Sequence, residues 1–217
     1  FQQRPNNCLN VLDTHDGYGV IDAGPINGKP GLIGQDDMAF IFEKAAENTH
    51  GHSNIASVVP QWFTLPHQIN ATLPNILAND TAYFISRAVQ FFLPGEPQVY
   101  YVGLFNGMDD QELFRKSDQG RDVNRHNYTP AEIEEALKQP VVQGIIALAR
   151  LRKHNAFNGT FSYKVTGDDS MTLGWEHGDD SVRLSFITKV GLPSFEIEVT
   201  TAGEKRHFET IEAFAKY

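Results

Sequence analysis

In Leu12-Asp13-Thr14-His15-Asp16-Gly17 a histidine and an aspartate stand side by side behind a short apolar run. An ionised aspartate accepts from two neighbouring hydroxyls and an imidazole donates or accepts, so the pair can grip a vicinal diol; the same two residues also make an ordinary hydrogen-bonded turn. A second cluster, Gly120-Arg121-Asp122-Val123-Asn124-Arg125-His126, holds two arginines, an aspartate and a histidine. Such a loop is either simply solvated or suited to a hydroxyl-rich or phosphorylated ligand, because guanidinium groups donate strong, charge-assisted bonds. Asp36, Asp37, His50 and His52 are candidate metal ligands. Thr49-His50-Gly51-His52 has no regular ligand spacing, however, and no metal is expected there.

The elements around these clusters suggest how they are held. Cys8–Leu12 is β-prone and apolar and runs straight into Asp13, so a buried strand is expected to deliver the His-Asp pair at its C-terminal end, as barrel enzymes do. Residues 17–74 show little periodicity beyond a helix near Asp36–Glu47, and so long a connection more often builds a binding wall than idles. A helix is expected over Asp80–Phe92, capped by Asp80 or Thr81 and stopped by Pro94-Gly95-Glu96-Pro97. Gln98–Gly103 reads as a second buried strand, and further helices open at Thr129-Pro130 and span Pro140–Arg152. Beyond Phe157 the pattern changes to alternation: Phe161, Tyr163 and Val165, then Met171, Leu173 and Trp175, then Val182, Leu184 and Phe186, then Phe195, Ile197 and Val199. That is a meander of short strands, followed by an apolar-spaced tail at Phe208–Phe214.

A net charge of −9 opposes nucleic acid and anionic membranes, so any phosphate site must be a local cluster of Arg or His. No apolar run approaches the ~18 residues of a membrane span. The single cysteine, Cys8, allows neither an internal disulfide nor a thiolate metal cage, and a cytoplasmic setting is expected. Phe1-Gln2-Gln3-Arg4-Pro5 has no initiator Met and no signal-peptide pattern, and reads as a chain joined in mid-sequence.

Taken together, in order and spacing, three stretches resemble the sucrose phosphorylases, a subfamily of the α-amylase family. Asn10 to Asp22 is similar to their seventh-strand segment, Arg87 to Gly103 to their eighth-strand region, and Gly120 to His126 to their Gly-Arg-Asp-Ile-Asn-Arg-His signature. The resemblance covers about residues 1–165. It implies an α/β fold: residues 1–156 form the C-terminal part of a catalytic (β/α)8 TIM barrel, with a loop-rich insertion at 17–78 as the acceptor-site wall, and 157–217 form a small antiparallel β domain. A full barrel takes ~250 residues, so the missing N-terminal half of the same barrel is an expected partner.

The implied chemistry is a retaining double displacement in which inorganic phosphate, a co-substrate, attacks a glucosyl-enzyme and yields α-glucose 1-phosphate. No cofactor is implied, and a homodimer stays open. The nucleophilic Asp and the acid/base Glu of the family lie on its fourth and fifth strands, upstream of Phe1. By the resemblance Asp16 is the third carboxylate, which stabilises the transition state; His15 is its neighbour on the sugar and Arg121 the glucose clamp. Gln68 falls at the Gln of a Tyr-Gln-Val-Asn motif beside the acceptor, where this chain reads Leu65-Pro66-His67-Gln68-Ile69-Asn70. His67 replaces the Tyr, and Leu65 stands where sucrose phosphorylases place an acidic fructose contact. The pocket thereby becomes friendlier to an anion, as in sucrose 6′-phosphate phosphorylases. Glucosylglycerol and glucosylglycerate phosphorylases stay open, as do an α-glucosidase or transglucosidase of the same family. Outside enzymes, a carbohydrate-binding module using Phe161, Tyr163 and Trp175 is the rival, although such aromatics are more often core.

Overall fold

The computed structural model describes residues 7–25, 28–57, 66 and 68–217. Its elements in chain order are strand β1 (Leu9–Val11), helices α1 (Gln35–Asn48), α2 (His52–Ile55), α3 (Leu73–Leu77) and α4 (Asp80–Phe92), and strand β2 (Glu96–Gln98). Helices α5 (Tyr101–Leu104), α6 (Gln111–Ser117), α7 (Pro130–Ala136) and α8 (Pro140–Leu151) follow. Strands β3 (Thr160–Gly167), β4 (Ser170–His177), β5 (Asp180–Ile187), β6 (Ser194–Thr201) and β7 (Glu204–Phe208) precede a last turn of helix, α9 (Ile211–Phe214). The chain divides into two compact units: one of Asp13–Ala78 with Tyr100–Ala131, the other of Asn79–Val99, Glu132–Tyr217 and the described residues up to Leu12.

In the second of these units, β1 and β2 pair in parallel with Asn10 opposite Pro97. The pairing is stitched from α4. Gln90 donates from one amide nitrogen to the carbonyls of Asn10 (2.7 Å) and Gln98 (2.8 Å), one on each strand. Asn10 answers by donating to the Leu93 and Pro94 carbonyls just past α4, which a helix end would otherwise leave without partners. Asn79, one residue ahead of the caps expected from sequence, accepts the Ala82 N–H and starts α4. Gln90 is buried, and its carbonyl oxygen accepts from the buried Arg87. Gln90→Leu therefore removes three hydrogen bonds: one to the buried Asn10 carbonyl, one to the part-buried Gln98 carbonyl and one from Arg87. A loss of about 2–4 kcal/mol is expected at about 0.5–1.5 kcal/mol for each of the three hydrogen bonds lost. In a chain of this size that is a fall in Tm of roughly 5–15 °C; an unchanged Tm in thermal unfolding would remove the stitch from the account.

Strands β3 to β7 form a five-stranded antiparallel meander in sequence order. Leu173, Trp175, Val182, Leu184, Phe195, Ile197 and Val199 are buried on one face, the alternation the sequence predicts. Phe84 of α4 packs 4.7 Å from Phe195 and 5.7 Å from Phe214 of α9. Trp175 donates to the carbonyl of Phe92 (2.7 Å), and the Phe161 ring lies 5.2 Å from it. Trp175 is thus a core residue with its polar atom satisfied, unlike the exposed ring a sugar platform needs.

Two expectations from sequence are corrected. Gln98–Gly103 is not a buried strand: pairing stops at Gln98, where the three-residue partner β1 ends at Val11, and Tyr101–Leu104 turns helical. Strand propensity yields here to the lack of anything further to pair with. Likewise β1 is not a buried strand, since only Asn10 is buried while Leu9 and Val11 are exposed. Strand β7 was illegible in the sequence because Glu204-Lys205-Arg206-His207 carries a charged or polar side chain at every position, as a protected sheet edge often does.

Candidate active site

The other unit carries the sequence-marked residues. Its core joins Phe42 and Ala45 of α1 to Ile69 and Ala71, with Tyr18, Val20 and Ile21 packed against them. Tyr18 and Ile69 exchange both backbone hydrogen bonds (2.8 and 2.9 Å), which fixes the segment 68–71 against the loop that follows Asp16. The approach is closest at two glycines. A Cβ on Gly17 would stand 2.4 Å from the Ile69 carbonyl, and one on Gly120 only 1.9 Å from the Ala56 carbonyl. Asn70 lies beside both, within 2.5 Å of the first of these positions and 2.8 Å of the second, and it donates to the Ala56 carbonyl.

Asp16 is the convergence point. Its backbone N–H donates to the Thr14 hydroxyl (3.1 Å) in a tight turn. One carboxylate oxygen lies 3.1 Å from Arg121 Nη1, 3.5 Å from Arg125 Nη2 and 3.6 Å from His15 Nε2. The side chain remains 38% exposed, so this is an ion cluster open to a ligand rather than a buried structural pair. The structure thus brings together three of the residues expected from sequence, His15, Asp16 and Arg121. Gln68 donates to the Asn70 side chain (2.7 Å) and its carbonyl accepts from Ser57 (3.0 Å), so it stands on the same braced segment. His67 and Leu65 lie outside the described residues.

Sequence reasoning missed several supporting groups. Arg125 donates to the His15 carbonyl (3.3 Å) and to Asp122 (3.0 Å) besides reaching Asp16. Tyr100 and Tyr101, read beforehand as strand residues, donate to the carbonyls of Asn124 (2.9 Å) and His126 (2.8 Å). Burial first, then the bond with Tyr101, pushes the Tyr100 phenol well above its usual range, so its hydroxyl stays a donor. The His126 ring meets Asp110 at 2.7 Å, and Asp110 also accepts the Leu113 N–H that opens α6. Burial pulls the Asp110 carboxyl upward, but the bonds from His126 and the helix N–H prevail and hold it below the ordinary carboxylate range. The only signal for these roles was that Arg125 and His126 belong to the same polar run as Arg121.

Among the described residues, one group places three ligand-type atoms within 4.8 Å of one another: Glu196, His207 and Glu209. His207 already faces both glutamates there, at 3.2 and 3.7 Å, on a solvent-accessible surface. His50 and His52, weighed beforehand, are not in that group. Among the described residues no helix is long and apolar enough to cross a membrane.

No protein-family model matches the chain. Individual proteins do. A sucrose phosphorylase of Bifidobacterium adolescentis is 46% identical over 194 residues, covering 87% of this chain and 38% of that protein. The chain is a homologue of the sucrose phosphorylases. A sucrose 6(F)-phosphate phosphorylase of Thermoanaerobacterium thermosaccharolyticum is 38% identical over 186 residues, covering 82% of the chain and 36% of that protein. The solved structure of sucrose 6F-phosphate phosphorylase from Thermoanaerobacter thermosaccharolyticum matches with a TM-score of 0.80 at 33% identity, over 96% of this chain and 42% of that one. Glucosylglycerol and glucosylglycerate phosphorylases are also similar. The chain spans about two fifths of the length of these sucrose phosphorylase relatives, and the match is to their C-terminal portion, including the antiparallel five-stranded sheet.

Proposed function

We propose that this chain is the C-terminal part of a retaining glucosyl phosphorylase that cleaves sucrose or sucrose 6′-phosphate with inorganic phosphate to give α-glucose 1-phosphate. The observation that carries the reading is the partly exposed Asp16 carboxylate shared by Arg121, Arg125 and His15, in a chain homologous to the sucrose phosphorylases. In this reading β1 and β2 are the seventh and eighth strands of a (β/α)8 barrel spanning residues 1–156 and the segments upstream, 157–217 is the accessory β domain, and 17–78 walls the acceptor site. The parallel pairing of β1 with β2 supports it, since each strand leads at its C-terminal end into residues of the site, Asp13 and Tyr100.

The chemistry follows from charge. As the glycosidic bond breaks, the sugar ring gains oxocarbenium character. An ionised Asp16 placed near that ring stabilises the developing cation without moving during the reaction. Arg121 and His15 hold ring hydroxyls, and Gln68 faces the acceptor. No resident cofactor is needed, because phosphate is itself the attacking group. Cys8 as the only cysteine supports a reducing, cytoplasmic setting. The deciding assay is product analysis of the complete protein on sucrose with and without phosphate. Phosphate-dependent glucose 1-phosphate supports the reading; free glucose formed at the same rate without phosphate would make the protein a hydrolase instead.

His67 sets the acceptor in this proposal, by donating to the 6′-phosphate of the fructosyl unit. A charge-assisted bond of about 1.5–3 kcal/mol corresponds to roughly a tenfold to hundredfold preference. His67→Tyr is therefore expected to shift kcat/KM from sucrose 6′-phosphate toward sucrose by that factor. The attraction needs the imidazolium, so the preference is present at low pH and fades as the pH rises past neutrality. Equal losses on sucrose, sucrose 6′-phosphate and glucosylglycerol would leave His67 a structural residue.

A further inference from the structure

We infer that Arg125 is the positioning residue of this site, a fixed guanidinium that holds the Asp16 carboxylate and the His15 backbone while Arg121 turns to the sugar. The inference rests on the reading that Asp16 faces a glucosyl unit. The two arginines are anchored differently. Among the described residues Arg121 makes a single contact, with Asp16, and is about half exposed. Arg125 reaches three partners at once: Asp122 at 3.0 Å, the His15 carbonyl at 3.3 Å and Asp16 at 3.5 Å.

The backbone of Arg125 is held as firmly as its side chain. Tyr100 donates to the carbonyl of the residue before it and Tyr101 to the carbonyl of the residue after it. The two rings meet edge to face at 4.7 Å, and His126 is tied in turn to Asp110 at the start of α6. A guanidinium fixed on both flanks can orient a carboxylate at no reorganisation cost when the substrate charge develops. When Arg121 leaves Asp16 for a ligand hydroxyl, Arg125 and His15 remain to keep that carboxylate aimed.

The test is steady-state phosphorolysis by the complete protein as wild type, Arg125→Lys, Arg125→Ala, Tyr101→Phe and Arg121→Ala. Lysine cannot reproduce the forked geometry, and a misplacement near 1 Å costs about a hundredfold, so Arg125→Lys should lower kcat by about that factor with KM changed less than about threefold. Arg121→Ala should instead raise KM. Added guanidinium ion should restore part of the activity of Arg125→Ala, and Tyr101→Phe should lose about five- to tenfold in kcat by loosening one flank. Near-normal kcat in Arg125→Lys, or losses without guanidinium rescue and with a matching fall in Tm, overturns the inference. Should Arg125→Lys fail to fold, full activity in Tyr101→Phe overturns it equally. A wild type that makes no glucose 1-phosphate would overturn the functional reading itself, and this inference with it.

Discussion

Asp16→Asn in the complete protein is expected to lower kcat by about a thousandfold while leaving the fold intact. Asparagine keeps the shape and the Asp16 N–H bond to Thr14, which is made by the backbone. What disappears is the negative charge. Removing one preorganised electrostatic contact to the charge that develops in a transition state costs about a hundredfold to a thousandfold, and a full charge facing a cationic ring belongs at the upper end. Stability should change little. The contacts of Asp16 to Arg121 and Arg125 are at least a third exposed on each side, and exposed ion pairs contribute about 1 kcal/mol or less. A variant with near-normal turnover would remove Asp16 from the reacting centre, and a large fall in Tm would make the residue structural.

The 217 residues expressed alone are expected to release no glucose 1-phosphate from sucrose or sucrose 6′-phosphate. A retaining double displacement needs a nucleophilic carboxylate and a second, acid/base carboxyl about 5–5.5 Å from it. Four carboxylates of this unit are already engaged: Asp16 is bound by two arginines, Asp122 by Arg125, Asp110 by His126, and Asp109 accepts the Thr72 N–H. Burial raises the Asp109 carboxyl, yet it sits beneath the Thr72 backbone rather than on an open face. In the proposed function the nucleophile and the acid/base lie on barrel strands other than β1 and β2. Losing both reacting groups removes the covalent route altogether, an effect of many orders of magnitude. Sustained, phosphate-dependent glucose 1-phosphate from this chain alone would show that the reacting carboxylates lie within it.

Periodicity alone made the outer framework legible. The helix over Asp80–Phe92, the helix from Pro140 and the alternating strands from Leu173 to Val199 have the 3.6 and 2.0 repeats that burial of one face imposes, whereas Tyr163 and Val165 of β3 alternate in sequence but are exposed. The seam between β1 and β2 was not legible, because it depends on Gln90 of α4, whose side chain donates to Asn10, eighty residues away, and to Gln98. Tyr100 and Tyr101 misled for a physical reason. Aromatic residues next to Val99 carry strand propensity, but here their hydroxyls are spent on the loop around Arg125. At the site, the resemblance to the sucrose phosphorylases singled out Asp16, His15 and Arg121. The sequence carried no sign that Asn70 packs beside Gly17 and Gly120, since a close backbone approach leaves only a glycine as its trace.

The most direct measurement is a crystal structure of the complete protein with glucose 1-phosphate bound. The account predicts the glucosyl ring over Asp16, with its carboxylate and the His15 imidazole within hydrogen-bonding distance of ring hydroxyls. Arg121 should have moved off Asp16 onto the sugar, with Arg125 still on Asp16 and Asp122. A sugar bound elsewhere, with the 3.1 Å contact between Arg121 and Asp16 unbroken, would contradict it.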